Sequence, residues 1–197
     1  MTVSDLDRLH SQLSRLEDMF PGYLTEIVEG SIMMSSVKPH HAETIRLVWN
    51  ALREQVADEW GFTSDVAFPF HEDNEFCPDL AVIPAAEVAK NNGAYAPDLI
   101  ELVVEVVSQG SIRRDYELKP RWYASRGIPN YLILDPLKGH VVTLWNPGPD
   151  GYLGRDTVPY GSADSELIID SPLGKLRLDT GQFPVDPTVD PKAPHRS

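Results

Sequence analysis

The 197-residue chain has one cysteine, Cys77, so an intrachain disulfide is excluded and a reducing compartment is the natural setting. It also lacks a long apolar run. The N-terminus, MTVSDLDRLHSQL, has no basic segment leading into a hydrophobic stretch, and no part of the sequence approaches the length of a membrane span. A soluble cytoplasmic protein with no membrane partner is therefore expected. Basic residues are few: 17 Lys+Arg face 30 Asp+Glu, for a formal net charge of −13. That balance excludes a broad non-specific coat for nucleic acid, because phosphate neutralisation needs Lys and Arg, but it leaves room for a local basic groove. G-x-S-x-G, a Gly-rich phosphate loop and His-x-x-x-His spacing are all missing, which removes support for serine hydrolase, P-loop and zinc chemistry.

What is present suits a folded domain. Hydrophobic residues make up 42% and charged residues 24%, and the length can bury a real core. We expect one domain over 1–183, with an N-terminal helix over 1–20 and a core over 21–183. PVDPTVDPKAPHRS, residues 184–197, carries four prolines and little apolar material, and reads as a disordered tail. Leu6, Leu9, Leu13, Leu16 and Phe20 recur at helical spacing up to Pro21-Gly22. Two short strands follow about Glu29-Gly30. A second helix is expected from Pro39 to Trp60, on the stripe Ile45, Val48, Trp49, Leu52 and Val56, with Gly61 ending it.

The period then changes to that of strands, over 62–70, 78–84 and 99–107. LIELVVEVV is apolar nearly throughout, as in a strand covered on both faces. After it come a loop, a helix closing at Gly127, the strand YLILD, and the strands HVVTLW and YLGRDTVPY joined by NPGPDG. The expected fold class is α/β: a mixed sheet core flanked by helices.

Acids within apolar strands are the informative feature. Asp79 opens PDLAVI and Glu105 lies inside LVVEVV, where a carboxylate is costly to bury without a compensating cation, donor or proton. If the two meet on neighbouring strands they form a hard oxygen site for Mg²⁺ or Mn²⁺. The competing arrangement puts Asp79 in a turn after Pro78 and points Glu105 outward from an edge strand. Residues 113–126 hold Arg113, Arg114, Lys119, Arg121 and Arg126 against Asp115 and Glu117, a local +3 that leaves −16 elsewhere. This helix faces nucleic acid if any binds; otherwise it is an ordinary charged helix with pairs such as Glu117–Arg121. Cys77, Trp122 and Tyr123 read as packing residues, and His40 as a helix-start or surface residue.

YLTEIVEGSI, His41 at a helix start, PDLAVIP, LVVEVVS, RRDYELKPRWYASRGIPNYLILDP and HVVTLW, in this order over about residues 20–180, resemble the PD-(D/E)XK nuclease superfamily. The closer resemblance is to its branch of restriction endonucleases, the Uma-two family. That resemblance implies a restriction-endonuclease-like fold and metal-dependent hydrolysis of DNA phosphodiester bonds. Asp79, Glu105 and Lys119 would be catalytic; Asp79 and Glu105 would hold Mg²⁺ or Mn²⁺, with Glu26 completing the shell and His41 as an accessory residue. Val107 stands where the superfamily usually keeps its lysine, and Lys119 in the next helix matches instead. Pro120 follows Lys119 and disfavours helical geometry before it, so the helix is expected to start or kink there. Ser108-Gln109-Gly110-Ser111 departs from the family's Ser-Pro-Ser-Thr. DNA is the implied partner, and a homodimer would supply the two sites that duplex cutting needs. The alternative is a nuclease-fold module that binds or assembles without cutting.

Overall fold

The computed structural model describes residues 5–20, 23–36, 38–161 and 166–186. Helix α1 (Asp5–Met19) leads into the hairpin of β1 (Tyr23–Val28) and β2 (Ser31–Ser36), turned by Glu29 and Gly30, both at positive φ. Helix α2 (Pro39–Arg53) follows, then β3 (Trp60–Thr63), β4 (Phe68–His71), β5 (Asn74–Phe76) and β6 (Leu80–Pro84). A short helix α3 (Ala85–Val88) and a 3₁₀ turn (Pro97–Leu99) precede β7 (Leu102–Val106). A π-helical turn (Arg114–Leu118) runs into α4 (Lys119–Ser125), and β8 (Asn130–Asp135) returns parallel to β7. The long hairpin of β9 (His140–Gly148) and β10 (Gly151–Pro159) is followed by a second one, β11 (Glu166–Ser171) and β12 (Gly174–Asp179).

Six strands form the central mixed sheet in the order β10-β9-β8-β7-β6-β3, and four form a smaller antiparallel sheet in the order β2-β1-β5-β4. Strand alternation divides the core in two. On one face Leu80, Val82, Leu102, Val104, Leu132 and Leu134 pack against Val48 and Leu52 of α2 and against Leu167, Ile169, Leu176 and Leu178 of the last hairpin. On the other, Ala81, Ile83, Val103, Val107, Tyr131 and Ile133 meet Val28, Phe68, Phe70 and Phe76 of the small sheet and Tyr123 of α4. Asp79 has the parity of Ala81 and Ile83, and Glu105 that of Val103 and Val107. Both acids therefore point to this second face, into the seam between the two sheets.

Several sequence expectations change. α2 ends at Arg53, not Trp60: its last turn closes on Leu52 O, which accepts from Gln55 N and Val56 N, and Val56 is buried from the connecting turn. The apolar stripe outlasts the helix because the turn packs on the same core. Gly61 is not a helix terminator. It sits in β3 opposite Ile83, where a Cβ would come within 2.7 Å of Val88 Cγ2. Residues 62–70 are two strands, since the chain leaves the central sheet at Ser64–Asp65 and enters the small one at Phe68. The β11–β12 hairpin is additional to the expected strands. The helix over 1–20 is present as α1, but Pro21 and Gly22, and the side chain of Leu6, lie outside the described residues. Of the expected tail, residues 184–186 still run along the β8–β9 turn, with Asp186 N donating to Pro136 O at 2.9 Å. Residues 187–197 lie outside the described residues.

Candidate active site

The site starts from an unfinished ladder. β6 and β7 pair as far as Leu80 opposite Val104, so Val106 lies across from Pro78, just before β6; the Pro78 carbonyl instead accepts from Asp65 N at 3.1 Å. Val106 N is left needing an acceptor. The Asp79 carboxylate supplies it: Oδ2 accepts from Val106 N at 2.6 Å. His41, in the first turn of α2, brings Nε2 to 3.2 Å from the same oxygen. Asp79 is thus fixed beside Glu105 by a backbone donor and an imidazole.

Lys119 stands at the centre. Its side chain is 3% exposed, and Nζ lies 2.8 Å from Glu105 Oε1, 2.9 Å from Glu26 Oε1 and 3.6 Å from Asp115 Oδ1. Tyr123 OH donates to the same Glu105 oxygen at 2.6 Å. Glu26, on β1, also accepts from Cys77 N at 3.1 Å, and its Oε2 lies 3.6 Å from Arg114 Nε. Arg114 Nη2 donates to Ser35 Oγ at 3.1 Å, tying β2 to the π turn. Glu26, Asp79, Glu105 and Asp115 therefore converge on a pocket of about 30 Å³ whose lining holds two permanent cations, Lys119 and Arg114. There is room for a water-sized guest.

The Lys119-Pro120 problem is solved by the turn before it. Lys119 has φ −56° and ψ −40°, within the helical region, and its N–H donates to Arg114 O, five residues back. Proline has no N–H to place, and the widened turn makes space for its ring, so the helix continues through Pro120 instead of starting there. The extra residue turns Arg114, Asp115 and Lys119 to the inside together; Arg114 is 8%, Asp115 1% and Lys119 2% exposed.

Electrostatics follow from this crowding. Burial pushes the Glu105 carboxyl well above the carboxylate range; Lys119 opposes that, while the charges of Asp79, Asp115 and Glu26 add to it. Burial likewise raises Asp115 to about 6, against the pull of Lys119 and the bond from Ser111. For Lys119, burial favours loss of the proton, but Glu105, Glu26 and Asp115 outweigh it and hold the ammonium charged. At His41 burial again opposes protonation, yet the bond to Asp79 and the charges of Asp79, Asp65 and Asp115 prevail, and the imidazole is raised above its ordinary value.

All five residues singled out in the sequence, Glu26, His41, Asp79, Glu105 and Lys119, line this one pocket. They are not arranged as a three-acid shell. Lys119 stands between Glu26 and Glu105, and among the described residues no three His, Cys, Asp or Glu side chains surround one point. The bonds described engage only Oδ2 of Asp79 and Oε1 of Glu105, which leaves the other oxygen of each as one that could hold a cation. Sequence reasoning missed Ser111, Arg114 and Asp115 as site residues. The one available signal was Asp115 four residues before Lys119, on the same helical side.

The charged helix also reads differently. Arg114 and Lys119 serve the interior, leaving Arg113 outside with Glu117 at 3.8 Å in place of the expected Glu117–Arg121 pair. Cys77 lines the pocket, but burial raises its thiol far above the range of a nucleophile. Trp122 is partly buried, its ring 5.8 Å from that of His71, while Tyr123 is a core residue that also bonds Glu105. His40 is exposed, and its carbonyl accepts from Thr44 Oγ1 at 2.8 Å.

Among the described residues no helix is long and apolar enough to cross a membrane. No curated protein matches the chain. Among solved structures, a protein from Anabaena variabilis described as "a putative nuclease belonging to DUF820" shares the fold, with a TM-score of 0.55 at 15% identity, covering 74% of this chain and 81% of that one. The model of the Uma2 family, described as "putative restriction endonuclease", matches residues 10–181. With an α/β fold that brings paired strand acids and a buried lysine to one pocket, and with that match across most of its length, this chain belongs to the Uma2 family of restriction-endonuclease-like proteins.

Proposed function

We propose that the protein is a divalent-cation-dependent endonuclease that hydrolyses DNA phosphodiester bonds. Asp79 and Glu105 would hold Mg²⁺ or Mn²⁺, and Lys119 would stabilise charge at the reacting phosphate. The observation that carries this reading is the imbalance in the pocket, where four carboxylates share only two permanent cations. Buried carboxylates in excess must take up protons or bind another cation. Two facing acids with water completing the shell suit Mg²⁺, which needs few protein ligands. The family's description supplies DNA as the substrate class.

A bound divalent cation supplies Lewis acidity toward a phosphoryl oxygen and lowers the pKa of a water. The chain's own residues do the rest. Val106 N–H and His41 keep Asp79 from rotating, and Tyr123 fixes the angle of Glu105. Glu26 and Glu105 keep Lys119 protonated, so that it meets developing negative charge with a full positive one. Glu26 accordingly acts on the lysine rather than as a third ligand.

Cleavage of supercoiled and single-stranded DNA with Mg²⁺, Mn²⁺ or EDTA tests this, using wild type, Asp79→Ala, Glu105→Ala and Lys119→Ala. Either acid substitution should abolish both metal binding and nearly all cutting. Lys119→Ala should slow cutting and leave a metal site. Cutting that survives both acid substitutions would refute the assignment. Wild type that fails to cut with either metal, yet binds DNA more weakly as salt rises, would support the non-cutting binding module instead.

A further inference from the structure

Asp115 holds an atom that the arrangement so far leaves unused. Three bonds pin the residue: its N–H donates to Ser111 O at 2.9 Å, its carbonyl accepts from Tyr131 OH at 2.8 Å, and its Oδ2 accepts from Ser111 Oγ. The remaining oxygen, Oδ1, is buried without a hydrogen-bond partner, 3.6 Å from Lys119 Nζ. A buried carboxylate oxygen left unbonded is costly, so its retention beside an ammonium calls for an explanation.

Glu105 supplies one. Its Oε1 already accepts from Lys119 and Tyr123. When Glu105 takes up a divalent cation through its other oxygen, the cation stands beside the ammonium that Oε1 holds, and the two positive charges repel. Lys119 then needs another acceptor, and Asp115 Oδ1 lies within an ångström of hydrogen-bond distance. Glu26, at 2.9 Å, stays as the common partner while the ammonium swings.

We infer that Asp115 is a positioning residue, a second berth that receives the Lys119 ammonium when Glu105 engages a divalent cation. The inference rests on the cation-dependent reading above. It makes Asp115 a determinant of metal affinity that acts only through Lys119.

Calorimetric titration of the full chain with MgCl₂, for wild type, Asp115→Asn, Lys119→Met and the double variant, tests it without reference to activity. Asp115→Asn should weaken Mg²⁺ about tenfold, because the lysine has lost its alternative partner. In the Lys119→Met background the same substitution should have almost no effect, since no ammonium needs a berth. If Asp115→Asn does not fold, Ser111→Ala, which frees the Asp115 carboxylate without altering charge, should weaken Mg²⁺ in the same direction. Equal weakening in both backgrounds would mean simple loss of a nearby charge and would overturn the inference while sparing the metal site. Wild type that binds no Mg²⁺ would overturn the metal reading and this inference with it.

Discussion

Lys119→Met removes the central cation while keeping a chain of similar length, and its effect on stability should depend strongly on pH. In the wild type, Glu26, Glu105 and Asp115 all lie within 3.6 Å of the ammonium. Deleting one partner of a buried ion pair costs about 3–5 kcal/mol when the others stay charged. They need not stay charged. Asp115 is already pushed from 3.8 to about 6 by burial, and Glu105 is raised well above its ordinary value by the same cause. Between its unfolded and folded pKa values, each such acid binds more protons in the native state, so stability falls as pH rises through that window. For Asp115, two units at about 1.4 kcal/mol each put close to 3 kcal/mol against the fold above its folded pKa. Loss of Lys119 raises both folded values and extends the window upward. Urea denaturation should therefore show a deficit of about 3–5 kcal/mol near pH 8, shrinking to about 1 kcal/mol near pH 5, where Asp115 and Glu105 are protonated in either protein. A deficit independent of pH over that range would refute the electrostatic account of the pocket.

Two further outcomes follow from the same geometry. His41→Gln should lose stability relative to wild type mainly at lower pH: the imidazole pKa is raised in the fold, so its contribution is complete below about 6.5 and disappears as pH rises through the folded value. Denaturation curves at about pH 6 and pH 9 would show it, and a gap that widens with pH would contradict it. Gly61→Ala should cost about 1–3 kcal/mol, because the new Cβ meets Val88 Cγ2 at 2.7 Å and Ala85 Cα, a backbone atom, at 3.2 Å. A melting temperature equal to that of wild type would show that α3 can move away from β3.

The central sheet was readable because its strands are hydrophobic and short, with punctuation on either side. PDLAVI, LVVEVV, YLILD and HVVTLW each became a strand, and their acids landed on one face because strand alternation leaves them no other. The stripe of α2 misled because Val56, like Val48, is buried, yet it is not helical. ELIIDS and GKLRLD do alternate, with Leu167, Ile169, Leu176 and Leu178 inward, and only the surrounding charge hid the pattern. The inner half of the site was illegible for a different reason. In RRDYELKPR, apart from the spacing of Asp115 to Lys119, nothing local says which charges point inward, since that depends on a helix phase set by one extra residue in a turn.

That extra residue sets two parts of the chain in separate registers. Downstream of it, Tyr123 and Ala124 are keyed to the sheet; upstream, Ser111, Arg114 and Asp115 are keyed to the pocket. An ordinary α-helix advances about 100° per residue, so deleting one position between 115 and 118 would restore regular winding and swing the upstream charges to the outside while the core side stayed in place. In this chain a single codon gained or lost in the turn therefore separates a helix that displays its charges to solvent from one that commits them to the interior.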